Sequence, residues 1–398
     1  MSKRIINPFT PQKPIDNPEY FFGRNNEVDS IIDVLYQTAH ENPEHAIITG
    51  DRGIGKSSLL VQTKRIAEGD TTLIEKFDID TGGIDNFNFK SIWIDTVENQ
   101  SAEEVAGYIL SNLKRSITIL SKIDFSLDLF GVQIAKKEEE AKAKPINEVV
   151  GNFVQEMKKV SKKVMEEKLD GIIIFIDEID RMDMTKDLPT FFKLVTESFS
   201  RNHINNIIFF FAGISGAVQK MKEIHPSISR TFKDIVLHKL NQSEIELILI
   251  NGFDKVGFTY SDDVLNRIGY MSAGFPEPVH LLGGTIIKYS DNNNLNMNSL
   301  TKGIEDIIQN KKNNELKNLL EEAGSGKYQQ ILKAMASNEN INVPLGYIDN
   351  YLGIKQSEYS MNINKLCERN IIKKYSRGIY SFVDPLLKEY IKIFGVLE

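Results

Sequence analysis

Residues 50–57 restrict the fold of this chain more than any other part of its sequence. They read Gly-Asp-Arg-Gly-Ile-Gly-Lys-Ser, which is the spacing of a phosphate-binding loop: glycine, four residues, then glycine, lysine and serine. An apolar run at 45–49 precedes the loop, and a helical pattern over 56–66 follows it. Because such a loop joins a strand to a helix, the motif predicts an α/β domain with a phosphate site at one edge of its sheet.

The residue types in this loop match the needs of ATP and Mg²⁺. Glycines let backbone N–H groups and the positive end of the next helix face phosphate oxygens. Lys56 is expected to reach the β- and γ-phosphates, and Ser57 to hold Mg²⁺. A glycine-rich turn without function is the alternative, which the strand and helix on either side disfavour. The predicted nucleotide contacts are Gly50, Asp51, Arg52, Gly53, Ile54, Gly55, Lys56, Ser57 and Ser58.

An acidic pair follows the apolar run at 172–176. A strand there delivers Asp177 and Glu178 to its carboxyl end, where open α/β sheets bind their ligands. Asp177 is expected to complete the Mg²⁺ site, and Glu178 to orient and deprotonate the attacking water. Acidic pairs are also common as turn residues, but the earlier phosphate loop favours the catalytic interpretation.

The rhythm of apolar residues divides the chain into three predicted domains. Strands and helices alternate over 1–240, which predicts a parallel sheet flanked by helices, with an inserted hairpin near 120–145. Only helical patterns occur over 241–323, which predicts a helical lid and a linker helix. Three helices and a hairpin over 324–398 predict a winged helix-turn-helix. The charged run at 136–140 is interpreted as a solvated end of the insert.

Composition limits the compartment and the partners. The chain has 398 residues, 26% of them charged, and a net charge of -7, which argues against a protein covered by nucleic acid. A single cysteine, Cys367, excludes an internal disulfide and favours a reducing compartment. The first residues lack the apolar core of a signal peptide, and every apolar run is too short to span a membrane. We therefore expect a cytoplasmic protein without a membrane partner.

Several motifs together resemble the Orc1/Cdc6-like and archaeal-type AAA+ ATPases, which border on the STAND signalling ATPases. The resemblance covers most of the chain and is weakest over 70–144. It implies ATP hydrolysis to ADP and phosphate, and a homo-oligomer that depends on nucleotide. The motifs that carry it are Asn7-Pro8-Phe9, Phe22-Gly23-Arg24, the phosphate loop, Ile176-Asp177-Glu178 and the terminal winged helix.

The same resemblance implies positions around the adenine. Phe22-Gly23-Arg24 is expected near the base, and so is Pro276, in a glycine-x-proline turn that opens a lid helix. In the Cdc6-like branch an arginine follows this turn, but Glu277 stands here, which favours the archaeal-type and STAND side. His280 is interpreted as a helix residue near the nucleotide rather than as a catalyst.

Two further candidates depend on the resemblance. Ser215, just beyond the apolar run at 207–213, falls near the sensor position that contacts the γ-phosphate or the water. Arg230 resembles the arginine that one subunit offers to its neighbour's nucleotide, where it stabilises transition-state charge. A capping serine and a solvated arginine are the alternatives, and the residues leave both open.

The end of the chain carries an excess of positive charge. Residues 327–398 contain ten Lys and Arg against seven Asp and Glu. On a winged helix the basic residues would face DNA phosphates, although such a domain also packs on protein partners. Two functions remain open: a DNA-bound initiator or remodeller, and a signalling or defence switch that recruits proteins. The predicted contacts to double-stranded DNA are Lys365, Arg369, Lys373, Lys374 and Arg377.

Overall fold

The computed structural model describes residues 6–95, 98, 100–130, 144–182 and 187–397. The chain forms two compact units. The α/β unit is Pro14–His238, and the helical unit combines Met1–Lys13 with Lys239–Glu398. Within the described residues, no helix has the length and apolar character needed to cross a membrane.

The α/β unit is built on a five-stranded sheet in which every strand pair is parallel, in the order β2-β3-β4-β1-β5. Its strands are β1 (His45–Thr49), β2 (Phe89–Ile94), β3 (Gly171–Ile176), β4 (Ile207–Gly213) and β5 (Phe232–Val236). Every residue of β1, β3 and β4 is buried, as the continuous apolar runs of a parallel sheet covered on both faces require. The predicted P-loop α/β fold is confirmed.

Eight helices accompany this sheet in the described part of the unit. They are α1 (Asn25–Ala39), α2 (Lys56–Ala67), α3 (Thr72–Phe77), α4 (Ala102–Ser116), α5 (Ile146–Glu166), α6 (Leu188–Arg201), α7 (Ser215–Ile224) and α8 (Ile228–Thr231). Ser101 and Glu104 close a capping box at the start of α4, as the sequence predicts. Phe192 of α6 packs edge-on against Phe211 of β4, which seats that helix on the sheet.

The segment near 120–145 differs from the expected hairpin where it is described. The alternation of Phe125, Leu127 and Leu129 predicts a strand, but Leu127–Phe130 forms a 3-10 helix. Phe125 and Phe130 are buried in the core between α4 and α5, so these apolar residues stabilise the segment by packing rather than by strand pairing. The charged run and the rest of the insert, 131–143, lie outside the described residues.

The helical unit begins with a group of helices after Lys239. They are α9 (Gln242–Lys255), α10 (Asp262–Ser272), α11 (Pro276–Ile286), α12 (Met297–Asp306) and α13 (Asn313–Ala323), with short strands β6 (Thr259–Tyr260) and β7 (Asn294–Leu295). The sequence predicts one long helix from residue 300 towards 323. A π-helical turn, Ile307–Lys311, separates α12 from α13 instead, because Lys312 leaves helical geometry with φ -120°.

The last part of this unit contains four helices and three short strands: α14 (Lys327–Ser337), β8 (Val343–Pro344), α15 (Leu345–Leu352), α16 (Ser360–Glu368), β9 (Ile372–Ser376), β10 (Ile379–Phe382) and α17 (Pro385–Phe394). The strands form an antiparallel sheet in the order β8-β10-β9. Tyr359 is fully buried, and its hydroxyl donates to Leu345 O and Asp349 Oδ1, which ties α16 to α15.

Candidate functional site

The phosphate loop connects the end of β1 to the first residue of α2. A Cβ at Gly50 would lie 2.9 Å from Ile54 Cγ2 and 3.1 Å from Leu237 O, so the turn accepts only glycine there. Gly55, which precedes α2, has φ 102°, a left-handed conformation that favours glycine. The Ile54 side chain is buried in the core. The loop therefore presents its backbone and the positive end of a 12-residue helix.

Lys56 folds back over this loop. Its Nζ donates to Gly50 O at 3.1 Å and to Asp51 O at 2.9 Å. Burial lowers the pKa of Lys56, while the carboxylates of Asp180, Asp177 and Asp51 act in the opposite direction. The ammonium group is thus held at the loop and lies within electrostatic reach of the acidic residues that follow β3.

Asp177 and Glu178 directly follow β3, and β4 separates β3 from β1 in the sheet. Asp177 Oδ1 accepts from Glu178 N at 2.8 Å. Glu178 has φ 52° and ψ 46°, a left-handed conformation that is uncommon for a residue other than glycine and is typical of functional turns. Its carboxylate lies 2.8 Å from Arg181 Nε, and both side chains are more than half exposed. An ion pair this exposed is weak, so the carboxylate can exchange this partner for another.

Asp180 is a candidate that the sequence interpretation missed. Its carboxylate is the largest charge influence on the pKa of Lys56 and also accepts from Ile214 N at 3.3 Å. Ser215, the next residue, is the exposed first residue of α7. The available signal was the second aspartate in Asp177-Glu178-Ile179-Asp180, three positions after the first. The acidic end of β3 and the end of β4 thus meet through Asp180.

The buried side chain of Arg24 stabilises the phosphate loop through a hydrogen bond to Ile54. Its guanidinium donates to Ile54 O at 3.0 Å and to His238 O at 2.6 Å, and it pairs with Glu27 at 3.2 Å. Only 7% of the residue is exposed. The resemblance placed Arg24 near the base, but its side chain is occupied by the loop and the end of the α/β unit, so its contribution there is to hold Ile54.

The hydroxyl of Ser58 also has a structural partner. Ser58 Oγ accepts from Ile15 N at 3.1 Å, and Gln62 Nε2 on the next turn donates to Ile15 O at 2.6 Å. These bonds attach the extended segment before α1 to the first turns of α2. The Ser58 hydroxyl thus accepts a bond from the segment before α1.

The remaining candidates of this set lie on separate elements. Arg230 is exposed on α8, just before β5. Pro276 is the first residue of α11 in the helical unit, and Phe275 before it is the N-cap. His280 on the same helix is buried, its Nδ1 accepts from Thr10 N at 3.3 Å, and burial lowers its pKa to about 4. It is therefore a neutral packing residue that contacts the backbone at Thr10.

The five basic candidates near the end of the chain divide into two groups. Arg369 Nη1 donates to Ala323 O at 2.7 Å, and its guanidinium lies 4.9 Å from the centre of the Tyr328 ring. Lys373 Nζ lies 5.0 Å from the centre of the Phe275 ring. These three interactions stabilise the helical unit itself, because a cation placed at a helix end or over an aromatic ring is attracted to it. Lys365, Lys374 and Arg377 are exposed, as is Arg369, but unlike Arg369 these three side chains make no hydrogen bond or ion pair within the described residues.

Comparison by sequence gives one family match. Residues 20–203 match the model of the AAA ATPase domain. This range includes the phosphate loop, Asp177 and Glu178. No curated protein matches the chain.

Solved structures resemble nearly the whole chain in fold. A Walker-type ATPase of Pyrococcus abyssi aligns with a TM-score of 0.57 at 17% identity, over 96% of this chain and 99% of the other. The ORC2 protein of Aeropyrum pernix, solved as ADPNP-ADP complexes, aligns with a TM-score of 0.54 at 15% identity, over 93% of each chain. At such identities the likeness concerns the fold alone. Residues 20–203 thus match the AAA ATPase domain by sequence, and the parallel sheet to which they contribute has the P-loop AAA+ fold.

Proposed function

We propose that this protein binds ATP with Mg²⁺ at the loop of residues 50–57 and hydrolyses it to ADP and phosphate. The observation that carries the proposal is the position of Lys56. Its ammonium bonds the loop carbonyls and is influenced by Asp177 and Asp180, which follow β3. A basic loop facing a carboxylate cluster suits a substrate that is an anion complexed with a divalent cation.

The residues of this site fit both the phosphates of ATP and Mg²⁺. The glycine turn, which has no room for a Cβ at Gly50, leads into the N-terminus of α2, whose positive end suits phosphate oxygens. Ser57 and Asp177 supply a hydroxyl and a carboxylate, the hard oxygen ligands that Mg²⁺ prefers. Bound there, Mg²⁺ would neutralise charge that develops on the phosphate oxygens.

The chain's own groups then have separate tasks. Lys56 leaves the carbonyls of Gly50 and Asp51 and neutralises the β- and γ-phosphates. Glu178 exchanges Arg181 for the attacking water, orients it and accepts its proton. Ser215 donates a polar contact beside that water. In a nucleotide-dependent homo-oligomer, the exposed Arg230 supplies a positive charge to the nucleotide of the neighbouring subunit.

Contacts within the helical unit support coupling to its last part, where we propose that α14 to α16 and the β9–β10 hairpin form a winged helix. Phe275 and Glu277 lie on either side of Pro276, the residue that the resemblance places at the nucleotide. Phe275 contacts Lys373 of β9. Lys312 Nζ lies 3.5 Å from Glu277 and 3.7 Å from Asp384, which precedes α17. Movement of Pro276 on nucleotide binding would therefore reach the winged helix.

Lys312 is well suited to such a link. Burial alone would lower its pKa, but the carboxylates of Asp384, Glu277 and Glu315 outweigh burial and raise it. Burial also raises the pKa of Asp384, which is nearly enclosed. Loss of Lys312 would leave the Asp384 carboxylate without the cation that lies 3.7 Å from it, so we expect these two groups to move together.

We further propose that the exposed basic residues of the winged helix contact the phosphates of double-stranded DNA. Lys365 lies on α16, and Lys374 and Arg377 lie on the β9–β10 hairpin, with Tyr375 between them 68% exposed. An exposed aromatic side chain among exposed cations is typical of nucleic-acid surfaces. Arg369 and Lys373 are not part of this proposal, because both side chains have internal partners.

Two measurements on the full chain test the function. ATP turnover with and without Mg²⁺ tests the enzyme, and its absence in folded protein would contradict it. Fluorescence anisotropy on a random duplex at two salt concentrations, with and without ATP, tests the coupling. DNA affinity that is strong, salt-dependent and altered by ATP supports the proposal. Oligomerisation with ATP but no duplex binding would instead favour a switch that recruits proteins.

A further inference from the structure

An extended segment, residues 15–24, connects the chain's beginning to α1 and is attached to the phosphate-loop region at both of its ends. At the first end, Ile15 N donates to Ser58 Oγ. At the other, Arg24 donates to Ile54 O. We call this segment the strap. Both attachment points belong to the loop or to the first turn of α2, so the strap is held at each end by an element of the proposed nucleotide site.

One side chain organises the middle of the strap. Lys76, on α3, donates through Nζ to three strap carbonyls: Pro18 O at 3.2 Å, Glu19 O at 2.8 Å and Phe21 O at 3.0 Å. The same Nζ lies 3.8 Å from the centre of the Phe22 ring. An ammonium group has three donors, so its hydrogen-bonding capacity is used completely by the strap. This excludes a direct role for Lys76 with a phosphate.

The interaction is strong enough to fix a conformation. Pro18–Tyr20 forms a 3-10 turn whose carbonyls point towards Lys76, and a cation is favourable at the carbonyl end of such a turn. Lys76 is about half buried, and burial lowers its pKa while Glu19 partly offsets that effect. In this setting charge-assisted bonds and a cation over a ring are worth more than in water.

We infer that Lys76 is a positioning residue for base recognition: it holds the strap so that Phe22 and Gly23 face the adenine of ATP. The inference deepens the proposed function and rests on it. Phe22 is partly exposed, so one face of its ring is covered by Lys76 while other atoms remain accessible. Gly23 has φ 54°, a turn conformation that brings the backbone back towards Arg24.

Base recognition can be separated from phosphate recognition by comparing three ligands. Isothermal titration with ATP, GTP and inorganic tripolyphosphate, each with Mg²⁺, measures base recognition and phosphate recognition on the same protein preparation. Lys76→Met keeps the aliphatic stem but removes the charge and the donors. Lys64→Met is the matched control, because Lys64 is an exposed lysine on α2. Lys76→Arg restores a cation with donors.

In Lys76→Met we expect ATP affinity to fall about tenfold, because a strap that is no longer held makes weaker contacts with the base while the phosphate contacts remain. Tripolyphosphate affinity should stay within about twofold of wild type, and the preference for ATP over GTP should narrow. Lys64→Met should behave as wild type, and Lys76→Arg should lie closer to wild type than Lys76→Met does. If Lys76 only stabilised the fold, Lys76→Met would lower the affinities for the nucleotides and for tripolyphosphate by similar factors.

Three results would overturn the inference, and they are distinguishable. Equal losses for ATP and tripolyphosphate in Lys76→Met would mean general damage to the loop. Unchanged ATP affinity and base preference would mean that the strap does not recognise the base, and the proposed ATPase function would stand. A folded wild-type protein that binds neither ligand would remove the proposed function together with the role of Lys76.

Discussion

The phosphate loop and the basic end of the chain show how differently two sequence patterns translate into structure. In the loop, Lys56 bonds carbonyls five and six residues away, so its hydrogen-bond partners lie within the motif itself. At the basic end, Arg369 bonds Ala323 and Lys373 contacts Phe275, which lie 46 and 98 positions earlier. The geometry of a backbone-turn motif is set by residues within the motif. The role of a surface charge depends instead on the residues that pack beside it.

The sharpest test of the loop is Lys56→Ala. We expect ATP affinity to fall about a thousandfold, because bound phosphates would lose a half-buried cation while the carboxylates beside them remain. Isothermal titration with ATP and Mg²⁺ measures the change, and Lys64→Ala is the control. DNA binding without ATP should be unaffected. Undiminished ATP affinity in the folded variant would show that the loop is not a nucleotide site.

Glu178→Gln should separate binding from chemistry. The amide keeps the shape of the side chain but cannot accept the water's proton, so turnover should fall about a hundredfold while ATP affinity changes little. Steady-state phosphate release and titration together measure this, with Glu148→Gln, an exposed acid on α5, as control. Turnover within a few-fold of wild type would place the base elsewhere.

The two groups of basic residues should respond differently. Lys374→Ala with Arg377→Ala should weaken DNA binding about tenfold and reduce the slope of log affinity against log salt by about two, since two phosphate contacts are lost. Arg369→Ala should leave that slope unchanged but lower the free energy of unfolding by about 1 kcal/mol, because the Ala323 carbonyl loses its donor. Anisotropy at several salt concentrations and thermal unfolding distinguish them. A reduced slope in Arg369→Ala would mean that the internal contact opens on DNA.

A further comparison takes one buried histidine from each unit. Burial lowers the pKa of His45 to about 3 and that of His280 to about 4. In the unfolded chain each titrates near its ordinary value of about 6.5, so each contributes stability that is complete above this value. That stability is lost as pH falls from 6.5 towards the folded pKa, at up to about 1.4 kcal/mol per pH unit for each group.

Asparagine at either position keeps an acceptor for the backbone donor that each ring Nδ1 now binds, Phe209 N for His45 and Thr10 N for His280. His45→Asn and His280→Asn should each flatten the decline of unfolding free energy between pH 6.5 and 4. Denaturant unfolding across this range checks the slope. An unchanged slope in a variant would mean that its histidine titrates normally in the folded protein.

Much of the α/β unit is readable from the sequence because its strands are buried on both faces. The bounds of β1 and β4 match the apolar runs at 45–49 and 207–213. The edge strand β5 was missed, since its Phe-Lys-Asp-Ile-Val pattern is half polar. The short helix α3 was also not predicted, so its residue Lys76 was not recognised as the partner of the strap. Edge strands and single-turn helices depend on neighbours more than on their own pattern.

The sequence by itself determined the parallel sheet, the strand-loop-helix arrangement of residues 50–57 and the place of Asp177 and Glu178 at a strand end. These follow from apolar runs and from glycines that only certain backbone turns accept, both of which are local. Tertiary structure alone decided that Asp180 lies near Lys56, that Lys76 holds the strap and that Arg369 bonds the Ala323 carbonyl. Those outcomes depend on which carbonyls and carboxylates, distant in sequence, lie beside each charge after folding. The spacing of residues along the chain does not predict these contacts.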